Sequence, residues 1–471
     1  MPEAEQSARP WRNGSYKALL GGSAMSAIGN GVTFTILPLI VVELTRSGFR
    51  LGLLGLLQTV PSVAVGLAAG SAADRWDRRR LMIACDIGRC LLVAAIPVAA
   101  YAGLPVIGVI YLTVVPFSVL TPPFLAAYAA SVPQLVGREH VPKATAELQA
   151  VSAIGFVAGP ALAAGFISVV SPVSVLWVDA VSFAASACCL ALVRRPLQAL
   201  AEPAGGSAGP DGSMPFSMLG GIAEGLRFLR RTPSLRALIG FWTAVSGATV
   251  LLIPAVAYVI DVERNLSSWS FPVTVAMFSV GALAGFAAAA KLSGLAAGRP
   301  MLAACVFAGV AIVTIVHLRG IVPLLVGAVL AGAGSGCVTC LFVAIRTRLT
   351  PDRLLGRIGS ISELVTDAAS PLVLLFGGVL LDVLGGTTVV TAVGVIFLLA
   401  GAGFALAPSL RDVRPADPGT MPSVPEMPSV PEMPPVPEMP PVPELAARGD
   451  QGAADLTPRP PPGPALRAET Q

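Results

Sequence analysis

Gly70-Ser-Ala-Ala-Asp74-Arg-Trp-Asp77-Arg-Arg-Arg80 is the stretch whose reading decides the fold. It is a short charged turn between two long apolar runs, Leu51 to Ala73 and Leu81 to Tyr101. About 20 apolar residues at ~1.5 Å rise each cross the ~30 Å hydrocarbon core of a bilayer. Each run is therefore a candidate transmembrane helix. A tight turn that holds Arg75, Arg78, Arg79 and Arg80 between two spans belongs on the cytoplasmic side. Asp74 and Asp77 are not needed for that rule and call for another reason.

Composition agrees with a membrane protein. The 471 residues are 54% hydrophobic and 12% charged, against roughly 25% charged in soluble domains. A net charge of +4 is too small to point to nucleic acid. Cys85, Cys90, Cys188, Cys189, Cys305, Cys337 and Cys340 all fall in apolar runs and read as packing residues rather than disulfides. Cys337 and Cys340 lie one helical turn apart, but no clustered His or further Cys accompanies them, so no metal site is expected. No cofactor is expected either.

Gly, a short gap, Asp-Arg and a basic cluster, placed between a second and a third span, resemble the loop signature of the major facilitator superfamily. The longer string from Leu53 to Arg80, with Pro61, Gly66 and Gly70, resembles the branch of macrolide-efflux and enterobactin-exporter proteins. The resemblance implies an all-α membrane protein of twelve spans in two six-helix halves that rock around a midplane cavity. It also implies that Asp74 docks at the cytoplasmic N-terminus of span eleven, where free N–H groups and the helix dipole favour a carboxylate. That makes Gly70, Asp74, Arg75, Arg78 and Arg79 a gating loop, with Asp86 and Arg89 just beyond it in span three. Those last two are three residues apart, share a helix face and can pair.

Taken in order, the chain opens with a polar tail, residues 1–14. The apolar run Leu19 to Leu44 is too long for a signal-peptide core and reads as a retained first span. Asn30 in its interior needs a neighbouring helix or water, so it is either a packing contact or part of a cavity wall. Span four, Val106 to Ala130, carries Pro116, Pro122 and Pro123 and is expected to bend. The polar link Pro133 to Lys143 again resembles the exporter branch, although Thr145 stands where that branch usually has Asn. Span five, Ala146 to Val170, contains Gly155, Gly159, Pro160 and Gly165. Glycines four apart leave a groove for a second helix, and the string partly resembles the superfamily's antiporter motif, which favours export. Span six, Val173 to Val193, contains Asp179. Burial disfavours the ionised carboxylate, so Asp179 is either a proton-exchanging group or a structural partner of a neighbouring helix.

Residues 194–235 form a Gly/Ser-rich linker followed by an amphipathic basic stretch, read as a cytoplasmic connector with a surface helix. Six further spans follow at about 236–260, 270–291, 300–318, 321–345, 359–381 and 386–407. Twelve spans place both termini inside. Apart from the tail, only Arg46, Arg50, Arg264 and Arg319 then fall outside, a bias that supports this topology. The second-half counterpart of the charged loop, Lys291 to Arg299, lacks its acid. In span eleven, Glu363 and Asp367 are four apart on one face, roughly 8–15 Å from the cytoplasmic end. Two like charges disfavour joint ionisation, so the pair suits proton exchange or a cationic substrate; salt-bridging within the bundle is the alternative.

The tail, residues 408–471, repeats Met-Pro-Ser-Val-Pro-Glu twice and Met-Pro-Pro-Val-Pro-Glu twice. Proline at that density gives an extended, solvated segment that is either without a partner or read by a proline-recognising one. The only lysines, Lys17, Lys143 and Lys291, do not follow Gly, so no ATP-binding phosphate loop exists. No nucleophile–base set points to an enzyme. The domains expected are a tail (1–14), a first six-helix half (15–193), a linker (194–235), a second half (236–407) and the proline-rich tail. The function expected is export of a small amphipathic or lipophilic compound across the plasma membrane in exchange for protons, without nucleic acid or ATP. Asp179, Glu363, Asp367 and Asn30 are the candidates for coupling or substrate binding. A siderophore or lysophospholipid carrier and a non-transporting membrane sensor are the alternatives.

Overall fold

The structure, a computed structural model, describes residues 14–193, 216–292, 298–407 and 410. Side chains at 67–68, 70–74, 138, 142 and 216–223 are not described. The N-terminal tail, the Gly/Ser linker and the proline-rich tail therefore lie outside the described residues, as do Gly70 and the Asp74 side chain.

Among the described residues every regular element is helical. Six helices come first: α1 (Gly14–Thr45), α2 (Gly48–Arg75), α3 (Arg78–Tyr101), α4 (Val106–Val136), α5 (Val141–Ile167) and α6 (Pro172–Ala191). A shorter α7 (Phe216–Arg231) follows. The second six are α8 (Pro233–Tyr258), α9 (Ser270–Leu292), α10 (Gly298–His317), α11 (Ile321–Leu349), α12 (Leu355–Leu384) and α13 (Gly386–Leu406). All but α7 contribute to the 12 helices long and apolar enough to cross a membrane.

Several helices overrun the apolar runs that announce them. Hydropathy marks only the slice inside hydrocarbon, whereas a helix continues until its backbone is capped. Glycine ends two of the long ones: Gly137 closes α4 at φ 78° and Gly385 closes α12 at φ 82°, a left-handed turn that costs glycine nothing. Pro116, Pro122, Pro123 and Pro133 all sit inside one continuous α4. The hydroxyls of Thr113, Ser118 and Thr121 fold back onto carbonyls of the preceding turns along this stretch.

The packing scheme of the first six helices recurs in the second six. α1 packs on α5 and α6, α2 on α4, and α3 on α4 and α6. Correspondingly, α8 packs on α12 and α13, α9 on α11, and α10 on α11 and α13. The two sixes meet mainly along α2–α12 and α5–α9, pairs that the same correspondence exchanges. Large apolar side chains such as Leu91, Leu112, Val181 and Phe376 point outward, which is how a lipid-facing surface differs from a soluble one. α7 lies against α12, where Glu224 pairs with Arg357 and Gly225 sits beside Ile361.

The bundle has two distinguishable ends. The α2–α3 connection, with Arg75, Arg78, Arg79 and Arg80, marks the basic end. The α1–α2 connection marks the far end.

Candidate functional site

The α2–α12 pair is closed at the far end. α2 starts there with Gly48, Gly52 and Gly55 facing Leu374, Gly378, Leu381 and Asp382 of α12. A methyl group built on Gly378 would lie 2.9 Å from Gly52 Cα, and one on Gly55 2.6 Å from Leu374 Cδ1. Only a residue without a side chain allows such an approach. Asp382 accepts hydrogen bonds from the Gly48 N–H at 2.5 Å, the Phe49 N–H at 2.8 Å and the Ser47 hydroxyl at 3.0 Å. Two more contacts join the halves here. Arg46 donates to the Asp261 carbonyl at 3.1 Å, and the Ser268 hydroxyl donates to the Glu43 carboxylate.

Toward the basic end the described contacts between the two faces stop. On α2 the line runs on through Thr59 and Ser62 to Gly66, where a built methyl group meets nothing within 4 Å. On α12 it runs back from Leu374 by two turns to Asp367 and by one more to Glu363. Both acids are exposed, and neither makes a hydrogen bond or ion pair among the described residues. Among the described residues, neither acid takes part in the salt bridge that is the alternative reading for the pair. Asn30 of α1 is half-buried and makes no hydrogen bond among the described residues. One turn on, Phe34 is exposed and packs edge-on against Phe156 of α5, with ring centroids 6.0 Å apart.

Asp179 stands elsewhere. It is 0% exposed, inside the first six helices. Thr33 of α1 donates to its carboxylate, and Ser182 donates to it at 3.3 Å and to its carbonyl at 2.8 Å. Gly29 of α1 leaves the space this carboxylate fills. Next along α6, Ser186 donates to Asp86 Oδ2 at 2.7 Å, and Asp86 Oδ1 accepts from Arg89 Nη2 at 2.5 Å. The Arg89 guanidinium lies over the Phe124 ring at 4.3 Å and the Phe183 ring at 4.8 Å. The i, i+3 pairing of Asp86 and Arg89 is therefore present, fully buried. Asp179, Ser182 and Ser186 form one stripe of α6, and with Asp86 and Arg89 of α3 they make a polar seam through an apolar half.

The charged loop is anchored within its own half. Arg78 donates to the Ala130 carbonyl of α4 at 2.9 Å. Arg79 donates to the Leu190 carbonyl at 3.1 Å and to that of Ala191, closing the C-terminus of α6. Asp77 caps α3, accepting from the Arg80 N–H at 2.8 Å; that is the reason for the second acid of the loop. Arg75 is exposed. The glycines of α5 serve the crossing with α1. A methyl built on Gly159 would lie 2.6 Å from Gly31 Cα, and one on Gly155 2.5 Å from Ala27 Cβ. Gly165 takes no part, since a methyl there meets nothing within 4 Å.

The candidate residues thus fall into separate groups: two exposed acids on α12, a half-buried Asn30 on α1, and a sealed seam around Asp179. Sequence reasoning missed Asp382, Thr33, Ser182 and Ser186. Gly48-x-x-x-Gly52 in α2 and the Gly377-Gly378 pair in α12 were the available signals for the close α2–α12 approach.

Two matching sixes of membrane-length helices, packed backbone to backbone at one end, are the architecture of a multi-pass membrane transporter. The chain belongs to the Major Facilitator Superfamily, whose sequence profile matches residues 19–323. Among curated relatives it is similar to the multidrug efflux pump Tap of Mycolicibacterium fortuitum, with 27% identity over 409 residues, 85% of this chain and 98% of that protein. The pump of the same name from Mycobacterium tuberculosis strain H37Rv is 24% identical over 84% of this chain and 94% of its own length. Macrolide efflux protein A of Streptococcus pyogenes is 28% identical over 38% of this chain and 45% of that protein. Among solved structures, the nucleoside transporter NupG superposes with a TM-score of 0.63 at 13% identity, covering 82% of this chain and 98% of that one. A bacterial homologue of the iron transporter ferroportin superposes with a TM-score of 0.60 at 15% identity, over 82% and 98%.

Proposed function

We propose that this transporter exports a small amphipathic or lipophilic compound, a drug or secondary metabolite, by alternating access in exchange for protons. The observation that carries the reading is the pair Glu363 and Asp367: two exposed carboxylates, four residues apart on one face of α12, without a hydrogen bond or ion pair among the described residues. Carboxylates one turn apart disfavour joint ionisation, so the pair can hold a proton in one facing state and release it in the other. Without such a difference between states a proton gradient cannot bias the cycle. A cationic substrate would compete with that proton for the same acids. Asn30, Phe34 and Phe156 would offer the polar and aromatic side of the cavity. The named efflux function of the Tap and macrolide-efflux relatives supports the direction.

The basic end is assigned to the cytoplasm of a plasma membrane, with both termini inside, on the distribution of arginine. The closely packed far end then lies outside, and Glu363 and Asp367 stand toward the cytoplasm. The two halves span residues 15–193 and 236–407, joined by the linker that carries α7. Asp74 is assigned to the N-terminus of α12 in the opposite state. Asp179, sealed among Thr33, Ser182 and α1, is assigned a structural role.

The test is efflux of fluorescent lipophilic cations from cells expressing the wild type or Asp367→Asn, with and without a protonophore. The expected result is protonophore-sensitive efflux that Asp367→Asn abolishes while the protein remains in the membrane. Wild-type efflux indifferent to the protonophore would overturn proton coupling. Efflux unchanged in Asp367→Asn would remove this acid from the mechanism.

A further inference from the structure

We infer that Asp382 is a gating residue of this transporter: carried by α12 in one half, it caps the N-terminus of α2 in the other and so holds the far end closed. The inference rests on the alternating-access reading above and adds a second gate to it.

A helix start leaves its first N–H groups without intrahelical acceptors. Side chains just before the helix usually supply the cap. At α2 the local candidate, Ser47, lies 3.4 Å from the Arg50 N–H, a long contact. The close acceptor is Asp382, 2.5 Å from the Gly48 nitrogen and 2.8 Å from that of Phe49, with the Ser47 hydroxyl also turned toward it. A carboxylate at a helix N-terminus is favoured by both the free donors and the helix dipole. Because the donor helix and the acceptor belong to different halves, these bonds exist only while the far end is shut. Their reach depends on backbone contact. Gly48 and Gly52 lie against Gly378, one turn before Asp382, so any parting of the halves here withdraws the carboxylate.

The arrangement is the converse of the docking assigned to Asp74. α2 and α12 run antiparallel, so each end of the pair presents one helix N-terminus. At the far end it is that of α2, met by an acid near the end of α12. At the basic end it is that of α12, and the last turn of α2 carries Asp74. Rocking the halves makes one cap as it breaks the other. Even a methyl at Gly48 would press on the Gly378 carbonyl, 2.5 Å away, and disturb the first.

The experiment is hydrogen–deuterium exchange of the full-length protein in lipid nanodiscs, comparing wild type, Asp382→Ala and Asp382→Asn. In Asp382→Ala, exchange at residues 47–55 rises on the order of fivefold, the size of a lost cap. At the same time, exchange at residues 59–66 and 358–368 falls, because the basic end closes. Asp382→Asn retains a carbonyl acceptor and restores most of the wild-type pattern. The opposite signs at the two ends separate a gate from a merely structural cap. Faster exchange at the far end with an unchanged or loosened basic end would overturn the inference, and so would no change at either end. Efflux measured on the same variants keeps the two readings apart. Reciprocal exchange without wild-type efflux of any compound sinks the export reading alone; efflux without reciprocal exchange sinks the gate alone.

Discussion

Gly52 of α2 and Gly378 of α12 meet backbone to backbone, with no side chain between the two halves at that point. A methyl on Gly378 would lie 2.9 Å from Gly52 Cα and 3.0 Å from its nitrogen. The far end closes only because both positions lack a Cβ. Gly378→Val is therefore expected to wedge the halves apart, since overpacking costs about 1–3 kcal/mol. Efflux should fall tenfold or more at unchanged expression, and a far-end cap that stays intact by exchange would contradict this.

The acids of α12 and the acid of α6 should separate cleanly in stability measurements. Asp367 is exposed and makes no hydrogen bond among the described residues, so Asp367→Asn should leave the thermal midpoint in detergent within the range of ordinary surface changes, about 0.5 kcal/mol. Asp179→Leu instead strands the Thr33 hydroxyl, while Ser182 keeps its bond to the backbone carbonyl, and should lower stability by about 1–3 kcal/mol. Equal effects on the midpoint would sink the distinction.

Thr33 donates to Asp179 from the neighbouring helix α1. Thr33→Val keeps the shape and removes the donor. In a bilayer an interhelical hydrogen bond contributes about 0.6–2 kcal/mol, so the midpoint should drop modestly, and a double change with Asp179→Asn should be less than additive. Additivity would show that the two groups do not interact.

Arg89 and Asp86 are 1% and 0% exposed. Removing one member leaves the other charged and alone in an apolar half, which costs about 3–5 kcal/mol. Arg89→Leu should therefore lose most of the folded protein, whereas the double change Arg89→Leu with Asp86→Leu should recover part of it. Recovery is read by yield and by the unfolding midpoint in a common detergent.

The twelve spans and the Asp86–Arg89 contact were legible because each depends on local pattern, whereas the two six-helix halves were implied by the resemblance of the charged loop. Length of apolar run gives the span, and a spacing of three gives a shared helix face. The surroundings of the acids were not legible. Asp179 and Asp367 look alike in sequence, each a carboxylate within an apolar helix. What distinguishes them is the neighbour: Thr33 and Gly29 enclose the first, whereas the second is exposed. Asp382 escaped notice for the same reason. It sits near a span end, where an acid is ordinarily solvated, and its partners lie 333 to 335 residues away in the chain. Hydroxyls such as Ser182 and Ser186 carry no signal of their own, because most serines in membrane helices bond back to their own backbone, as Ser118 and Ser131 do here.

The capping of α2 by Asp382 has a consequence for solvent. When the far end opens, the Gly48 and Phe49 N–H groups lose their acceptor, and hydration must replace it. One orientation is then drier at that surface than the other. The position of the cycle becomes sensitive to water activity, and osmolytes excluded from protein surfaces bias it toward the shut far end.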